Sequence, residues 1–123
     1  MKVLTIKNPW ASLIVNNYKK YEFRSWKTNY RGKILIHAGL SSDDDTMFSE
    51  YNLEYIKGAI IGEADLVDCI LVAKSFDNEL KNLNTIVYSH EHVGLYAWKF
   101  ENIKKYDKPI YVKGKLGLWN YNV

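Results

Sequence analysis

The sequence predicts an α+β fold: a small, mainly antiparallel β-barrel with two or three flanking helices. Three observations predict it. Segments with strand character outnumber helical ones, and they lack the regular strand–helix alternation of a parallel sheet. The chain has 123 residues, of which 47% are hydrophobic, enough for one core and too few for two, so residues 1–123 read as a single domain. The charged fraction of 25% beside 15% aromatic residues is ordinary for a folded protein and excludes disorder.

The elements follow in order. Val3–Ile6 is a short opening strand. Asn8-Pro9 then starts a helix, with Asn as its cap and Pro at its first position, and Trp10, Leu13 and Ile14 fall on one stripe. Asn16-Asn17 ends this helix, because Asn tolerates the left-handed conformation. From Lys19 to Trp26 the chain alternates: Tyr21, Phe23 and Ser25 point one way, and Lys20, Glu22, Arg24 and Trp26 the other. Tyr30-Arg31-Gly32 is a turn and Lys33–Ala38 a buried strand. Ser41-Ser42-Asp43-Asp44-Asp45 reads as the cap and acidic first turn of a helix reaching about Tyr55. Gly58–Lys74 is one long bent strand or a strand pair, residues 75–92 mix helical and loop signals, and Gly94–Asn102 and Pro109–Val112 are closing strands.

Charge is distributed unevenly. Residues 1–37 hold eight Lys or Arg and one acid, residues 38–92 hold three Lys and eleven acids, and residues 93–123 hold six Lys and two acids. If the two basic ends meet in the fold, they make one basic face, suited to an anionic partner such as nucleic acid. The single acid of the basic first third is Glu22, flanked by Lys20 and Arg24 on one strand face. That setting keeps its carboxylate ionised and paired with cations. A cross-strand ladder of ion pairs on a solvated sheet face is the plainer reading of the same residues.

Asn17-x-Lys19-x-x-Glu22-x-Arg24 resembles the G-x-K-x-x-E-x-R signature of ASCH domains, members of the PUA-like superfamily, with Asn17 standing at the glycine position. Five further stretches are similar to the family's segments in the same order: Asn8–Ile14, Tyr30–Ala38, Gly58–Gly62, Tyr96–Phe100 and Pro109–Trp119. The resemblance implies a PUA-like barrel whose cleft, between the first helix and the barrel, is lined by the signature residues. It implies RNA, another nucleic acid or a modified nucleoside as the partner, with hydrolysis of an N4-acylated cytidine or of RNA as the alternative activity.

Strand parity then sets a condition. Lys19 has the parity of Tyr21, so it joins Glu22 only if it lies in the turn before the strand. An ionised Glu22 suits the amino group of cytosine, while Arg and Lys suit base carbonyls or phosphate. Trp10, Trp26 or Tyr96 offers a stacking platform. The expected binding residues are therefore Trp10, Lys19, Lys20, Glu22, Arg24, Trp26, Arg31 and Tyr96. Lys19 and Glu22 are the catalytic candidates if the protein is an enzyme. Lys19 is expected to stay protonated beside Glu22.

The other motifs point to structure. His90-Glu91-His92 lacks the spacing of the helical zinc motif, and Asp43-Asp44-Asp45 lacks the pattern of a calcium loop. His37 reads as a satisfied core histidine, and the single cysteine, Cys69, as a buried, inert one. No metal or cofactor is expected. With no adequate apolar run at the N-terminus for a signal peptide and none of about 20 residues elsewhere, the expectation is a cytoplasmic monomer without a membrane partner.

Overall fold

The computed structural model describes residues 1–43 and 46–122. Its framework begins where the chain does. Val3, Leu4 and Ile6 are buried on β1 (Lys2–Asn8), which runs parallel to β3 (Gly32–Ser42) and pairs antiparallel on its other side with β6 (Leu118–Asn120). The two basic ends of the chain therefore meet, with the amino terminus donating to the Tyr121 carbonyl at 2.8 Å. β4 (Ala59–Leu71) and β5 (Tyr96–Tyr111) form the long central antiparallel pair, and β2 (Tyr21–Arg24) adds to β5. Among the described residues the order is β2-β5-β4-β3-β1-β6 in one six-stranded sheet.

Bulges shape this sheet. The β4–β5 ladder shifts register at Ile60/Gly62, Glu63/Asp65 and Leu66/Asp68, and each shift bends the strands and adds twist. The outcome is visible in one hydrogen bond. β2 and β1 stand four places apart, about 19 Å in a flat sheet at the ordinary strand spacing. Yet the Arg24 guanidinium on β2 donates to the Thr5 carbonyl on β1 at 2.6 Å. The sheet is thus rolled until β2 faces β1 across an open seam, a barrel that stays unclosed by backbone pairing.

α1 (Trp10–Val15) packs on the roll, burying Ala11, Ile14 and Val15 against β1, β3, β4 and β5. It stops where Asn17 takes φ of +66°, the left-handed residue anticipated from the Asn pair. Inside the roll lie Leu4, Ile6, Ile34, Ile36, Leu66, Trp98 and Phe100. A second apolar cluster of Leu13, Met47, Leu80, Val87 and Tyr88 sits outside it, with Tyr21 and Phe23 of β2 packed on it and α3 (Lys74–Leu83) contributing Leu80 and Phe76. The described residues hold no helix long and apolar enough to cross a membrane.

Several boundaries differ from the sequence reading. The helix anticipated from Asp43 to Tyr55 shrinks to α2 (Thr46–Glu50), because β3 continues to Ser42 alongside β1 and the Asp43 amide donates to the Asn8 carbonyl at 2.8 Å. Asp44 and Asp45 lie outside the described residues. Asn8 belongs to β1 rather than capping α1 through its side chain. The Asn8–Pro9 bond is cis, and the Asn8 amide group instead donates to the Ile56 carbonyl at 2.7 Å. The two expected closing strands are one 16-residue strand, β5. Of residues 75–92, where helical and loop signals mix in the sequence, 75–83 form α3, which begins at Lys74, a residue expected at the end of the preceding strand. Cys69 is half-buried rather than sealed in the core. His37 is the satisfied core histidine anticipated. Its Nε2 donates to the Val112 carbonyl at 2.7 Å, while Nδ1 accepts from the Thr5 hydroxyl at 3.1 Å.

Candidate functional site

The seam between β2 and β1 opens into a cleft of about 600 Å³, lined by Thr5 and Lys7 of β1, Trp10 of α1, Glu22, Phe23 and Arg24 of β2, the end of β3, and His90, Glu91 and His92. Its size falls within the ~300–1,000 Å³ of small-molecule sites. The residues converge because of local rules already met. The left-handed turn at Asn17 places Lys19 before the first residue of β2, outside the strand alternation, so that it meets the parity condition and reaches the Glu22 side.

Lys19 and Glu22 are buried and form one cluster with the half-buried Arg24. Lys19 Nζ lies 3.4 Å from Glu22 Oε1 and also donates to the Tyr21 carbonyl, and the Arg24 guanidinium lies 3.2 Å from Glu22 Oε2. Lys19 is only 3% exposed. Its ammonium stands 4.9 Å from the Phe23 ring centre and 5.6 Å from that of Trp10, within reach of both π faces. Burial pushes the Lys19 pKa below the ordinary lysine value, with the nearby Arg24 charge acting the same way, and the pull of Glu22 in the other direction does not offset them. The expectation that Glu22 would decide the balance therefore needs correction: desolvation is the larger influence. Arg24 Nε is a buried polar atom with no partner among the described residues.

The aromatic wall is built by contacts that the sequence did not disclose. The His92 ring stacks on Phe23 with centres 3.8 Å apart, and Trp10 meets His90 edge-on at 5.4 Å. Trp10 is oriented by its indole N–H, which donates to Asp43 at 2.9 Å. Behind the wall, His92 Nδ1 is 2.8 Å from Asp77 Oδ1, and the other oxygen of Asp77 takes Lys81 at 2.5 Å.

Of the residues expected at the site, Trp10, Lys19, Glu22 and Arg24 line the cleft, and four others do not. Lys20 points to solvent on the strand approach while its backbone amide donates to the Tyr88 hydroxyl at 3.0 Å. Trp26 leaves the strand beyond Arg24 and packs edge-on against the core Trp98 at 4.8 Å. Arg31 sits at the far end of β3, 3.8 Å from Asp68. Tyr96 is half-buried against the barrel core. Phe23, His90 and His92 are the residues that sequence reasoning missed. The alternation of β2 assigns Phe23 to the face away from Glu22, and the sequence His90-Glu91-His92 carries no signal beyond a metal motif of the wrong spacing. Among the described residues no group of three or more His, Cys, Asp or Glu is placed to hold a metal ion.

The family model for the ASCH domain matches residues 4–110. The chain belongs to the ASCH domain family. The same span contains every residue of the cleft cluster. ASCH proteins are also found by structure: the crystal structure of ASCH from Zymomonas mobilis has a TM-score of 0.55 at 16% identity, covering 89% of this chain and 71% of that one. A mutant of that protein has the same TM-score at 18% identity, covering 89% and 73%. At these identities the likeness shows the PUA-like fold. By sequence, the chain is similar to activating signal cointegrator 1 of Homo sapiens and of Mus musculus, each 28% identical over 130 residues. The alignment covers 94% of this chain but 21% of each relative, so this ASCH domain corresponds to about a fifth of those proteins.

Proposed function

We propose that the cleft binds a single nucleobase, presented by single-stranded RNA or by a modified nucleoside. The observation that carries this reading is Glu22, a carboxylate held between Lys19 at 3.4 Å and Arg24 at 3.2 Å beside the rings of Trp10, Phe23 and His92. A base needs both features. Its faces stack on aromatic rings, worth ~1–3 kcal/mol per base. Its edge needs donors for carbonyl oxygens and an acceptor for an amino group, and an ionised carboxylate accepts from the cytosine N4 amine. A base buried in an RNA duplex is out of reach of such a pocket, whereas an unpaired one can enter it. Lys7 at the rim is exposed and suits a flanking phosphate.

The test is calorimetric titration with cytidine, uridine, adenosine and guanosine. Cytidine should bind more tightly than uridine, and Glu22→Gln should reduce that preference about tenfold, the ~1–3 kcal/mol of a good base-edge contact. Equal affinity for cytidine and uridine in the wild type contradicts the role of Glu22.

A second reading, hydrolysis of an N4-acylated cytidine, is favoured by one observation: burial lowers the Lys19 pKa and so makes its neutral amine more accessible. Incubation with N4-acetylcytidine separates the two. Binding without release of acetate supports the binding module. Release of acetate by the wild type, lost in a Lys19→Arg variant that still binds, replaces it with the hydrolase.

A further inference from the structure

We propose that Asp77 and His92 form a carboxylate-backed acceptor at the cleft wall, and that His92 Nε2 accepts a hydrogen bond from a hydroxyl or amino group of the ligand. The proposal rests on the nucleobase reading of the cleft and names a contact that reading does not use.

The geometry assigns the roles of the two ring nitrogens. Asp77 Oδ1 stands 2.8 Å from Nδ1, so Nδ1 carries the proton and donates to the carboxylate. Asp77 is fully buried on α3 and its second oxygen is occupied by Lys81 at 2.5 Å, which leaves the carboxylate no freedom to turn away. The ring plane is held as firmly by Phe23, 3.8 Å away and nearly parallel at 21°. Nε2 then has no protein partner among the described residues. Nor is it sealed off, since the buried polar side-chain atom standing unpartnered is Arg24 Nε, and His92 lines the cleft. A fixed lone pair facing a cleft is an acceptor waiting for a donor.

The groups around the ring favour its neutral form. Burial lowers the His92 pKa below the ordinary histidine value, and the Lys19 charge before β2 and the Lys81 charge on α3 add to that effect. Asp77 opposes them without prevailing. Burial alone would raise the Asp77 pKa, but hydrogen bonds with Lys81, His92 and Glu91, together with the Lys81 charge, hold it well below the usual carboxylate range. At neutral pH the wall therefore presents an uncharged acceptor, in contrast to the charged acceptor Glu22. A nucleoside offers two kinds of donor to such a pair, the exocyclic amine and the sugar hydroxyls.

The experiment is 15N NMR of the histidine rings of the full chain, first alone and then titrated with cytidine, 2′-deoxycytidine and uridine. Without ligand, His92 should show a protonated Nδ1 and an unprotonated Nε2 at pH 7.5. The Nε2–H tautomer or an imidazolium at that pH overturns the proposal. With cytidine, the Nε2 resonance should move upfield as it accepts a hydrogen bond. His92→Phe, which keeps a ring on Phe23 but removes the acceptor, should bind cytidine at least tenfold more weakly, and His92→Gln, which keeps an acceptor, should bind at an intermediate level. Loss of the Nε2 shift with 2′-deoxycytidine assigns the donor to the sugar, and its loss with uridine assigns it to the amine. Cytidine binding by the wild type with an unmoved Nε2 and an unaffected His92→Phe variant overturns the proposal while leaving the cleft reading intact. No nucleoside binding by the wild type overturns both.

Discussion

Replacing Glu22 by Gln keeps the shape of the side chain and one acceptor oxygen while removing the charge that two cations share. Lys19 Nζ at 3.4 Å and Arg24 at 3.2 Å each gain roughly 5 kcal/mol of gross attraction at an effective permittivity near 20. Desolvation of the three groups cancels most of it. Removing one partner of a buried pair costs about 3–5 kcal/mol. The lower figure applies here, because the Glu22 side chain keeps 11% of its exposure and Gln still accepts from Lys19. For a chain of 123 residues the unfolding entropy is about 0.26 kcal/mol per degree, so about 3 kcal/mol lowers Tm by about 12 °C. The assay is thermal unfolding followed by circular dichroism for Glu22→Gln, Lys19→Met and the double variant. Lys19→Met removes the buried ammonium that Glu22→Gln strands, so the double variant should be about 2 kcal/mol more stable than the sum of the single costs predicts. Additive costs, within about 0.5 kcal/mol, would refute the coupling between Lys19 and Glu22.

Gly62→Ala should destabilise the fold by about 1–3 kcal/mol, since an added Cβ would lie 2.6 Å from the Lys104 carbonyl and 2.7 Å from a Val15 methyl, both held in place by the β4–β5 ladder and α1; denaturant unfolding measures it, and an unchanged midpoint contradicts the close approach. His37 and His92 both titrate below the ordinary histidine value because of burial, so the unfolded chain binds more protons as pH falls below about 6.5. Tm should therefore be lower at pH 5.5 than at pH 7.5, and a higher Tm at pH 5.5 contradicts the assignment. Binding of a short single-stranded RNA should weaken with rising salt, and Lys7→Ala should flatten that dependence while Arg31→Ala, paired with Asp68 away from the cleft, leaves it unchanged. Fluorescence anisotropy at several salt concentrations measures both, and equal slopes for the wild type and Lys7→Ala contradict a phosphate contact at the rim.

What could be read from the sequence was local. Asn17 ends α1 because few other residues accept its backbone conformation, and that turn decides where Lys19 points; both steps follow from a dozen consecutive residues. The alternation of Tyr21–Arg24 correctly separated Glu22 and Arg24 from Tyr21 and Phe23, yet it could not show that the ring of Phe23 and the ammonium of Lys19 meet at the strand's edge. The extent of β3 was hidden for a tertiary reason: Ser41-Ser42-Asp43 has the chemistry of a helix cap, but pairing with β1 at Asn8 competes for the same backbone groups and wins. Rolling of the sheet, and with it the Arg24–Thr5 bond that spans the open seam, depends on bulges in β4 and β5 that leave no periodic mark. Asp77 and His92 are 15 residues apart, joined only because α3 folds back over β2. Polar residues paired through tertiary contact carry no hydropathy signal, which is why the acceptor behind the cleft was not legible.

The most direct test of the central claim, that the seam between β2 and β1 receives a nucleobase, is 1H–15N correlation mapping of the full chain titrated with cytidine. The account predicts saturable shifts at Lys19, Glu22, Phe23, Arg24, His90 and His92, with the indole N–H of Trp10 among the largest, and none at Arg31 or Trp26. Shifts confined to residues outside the cleft, or no shifts at millimolar cytidine, would contradict it.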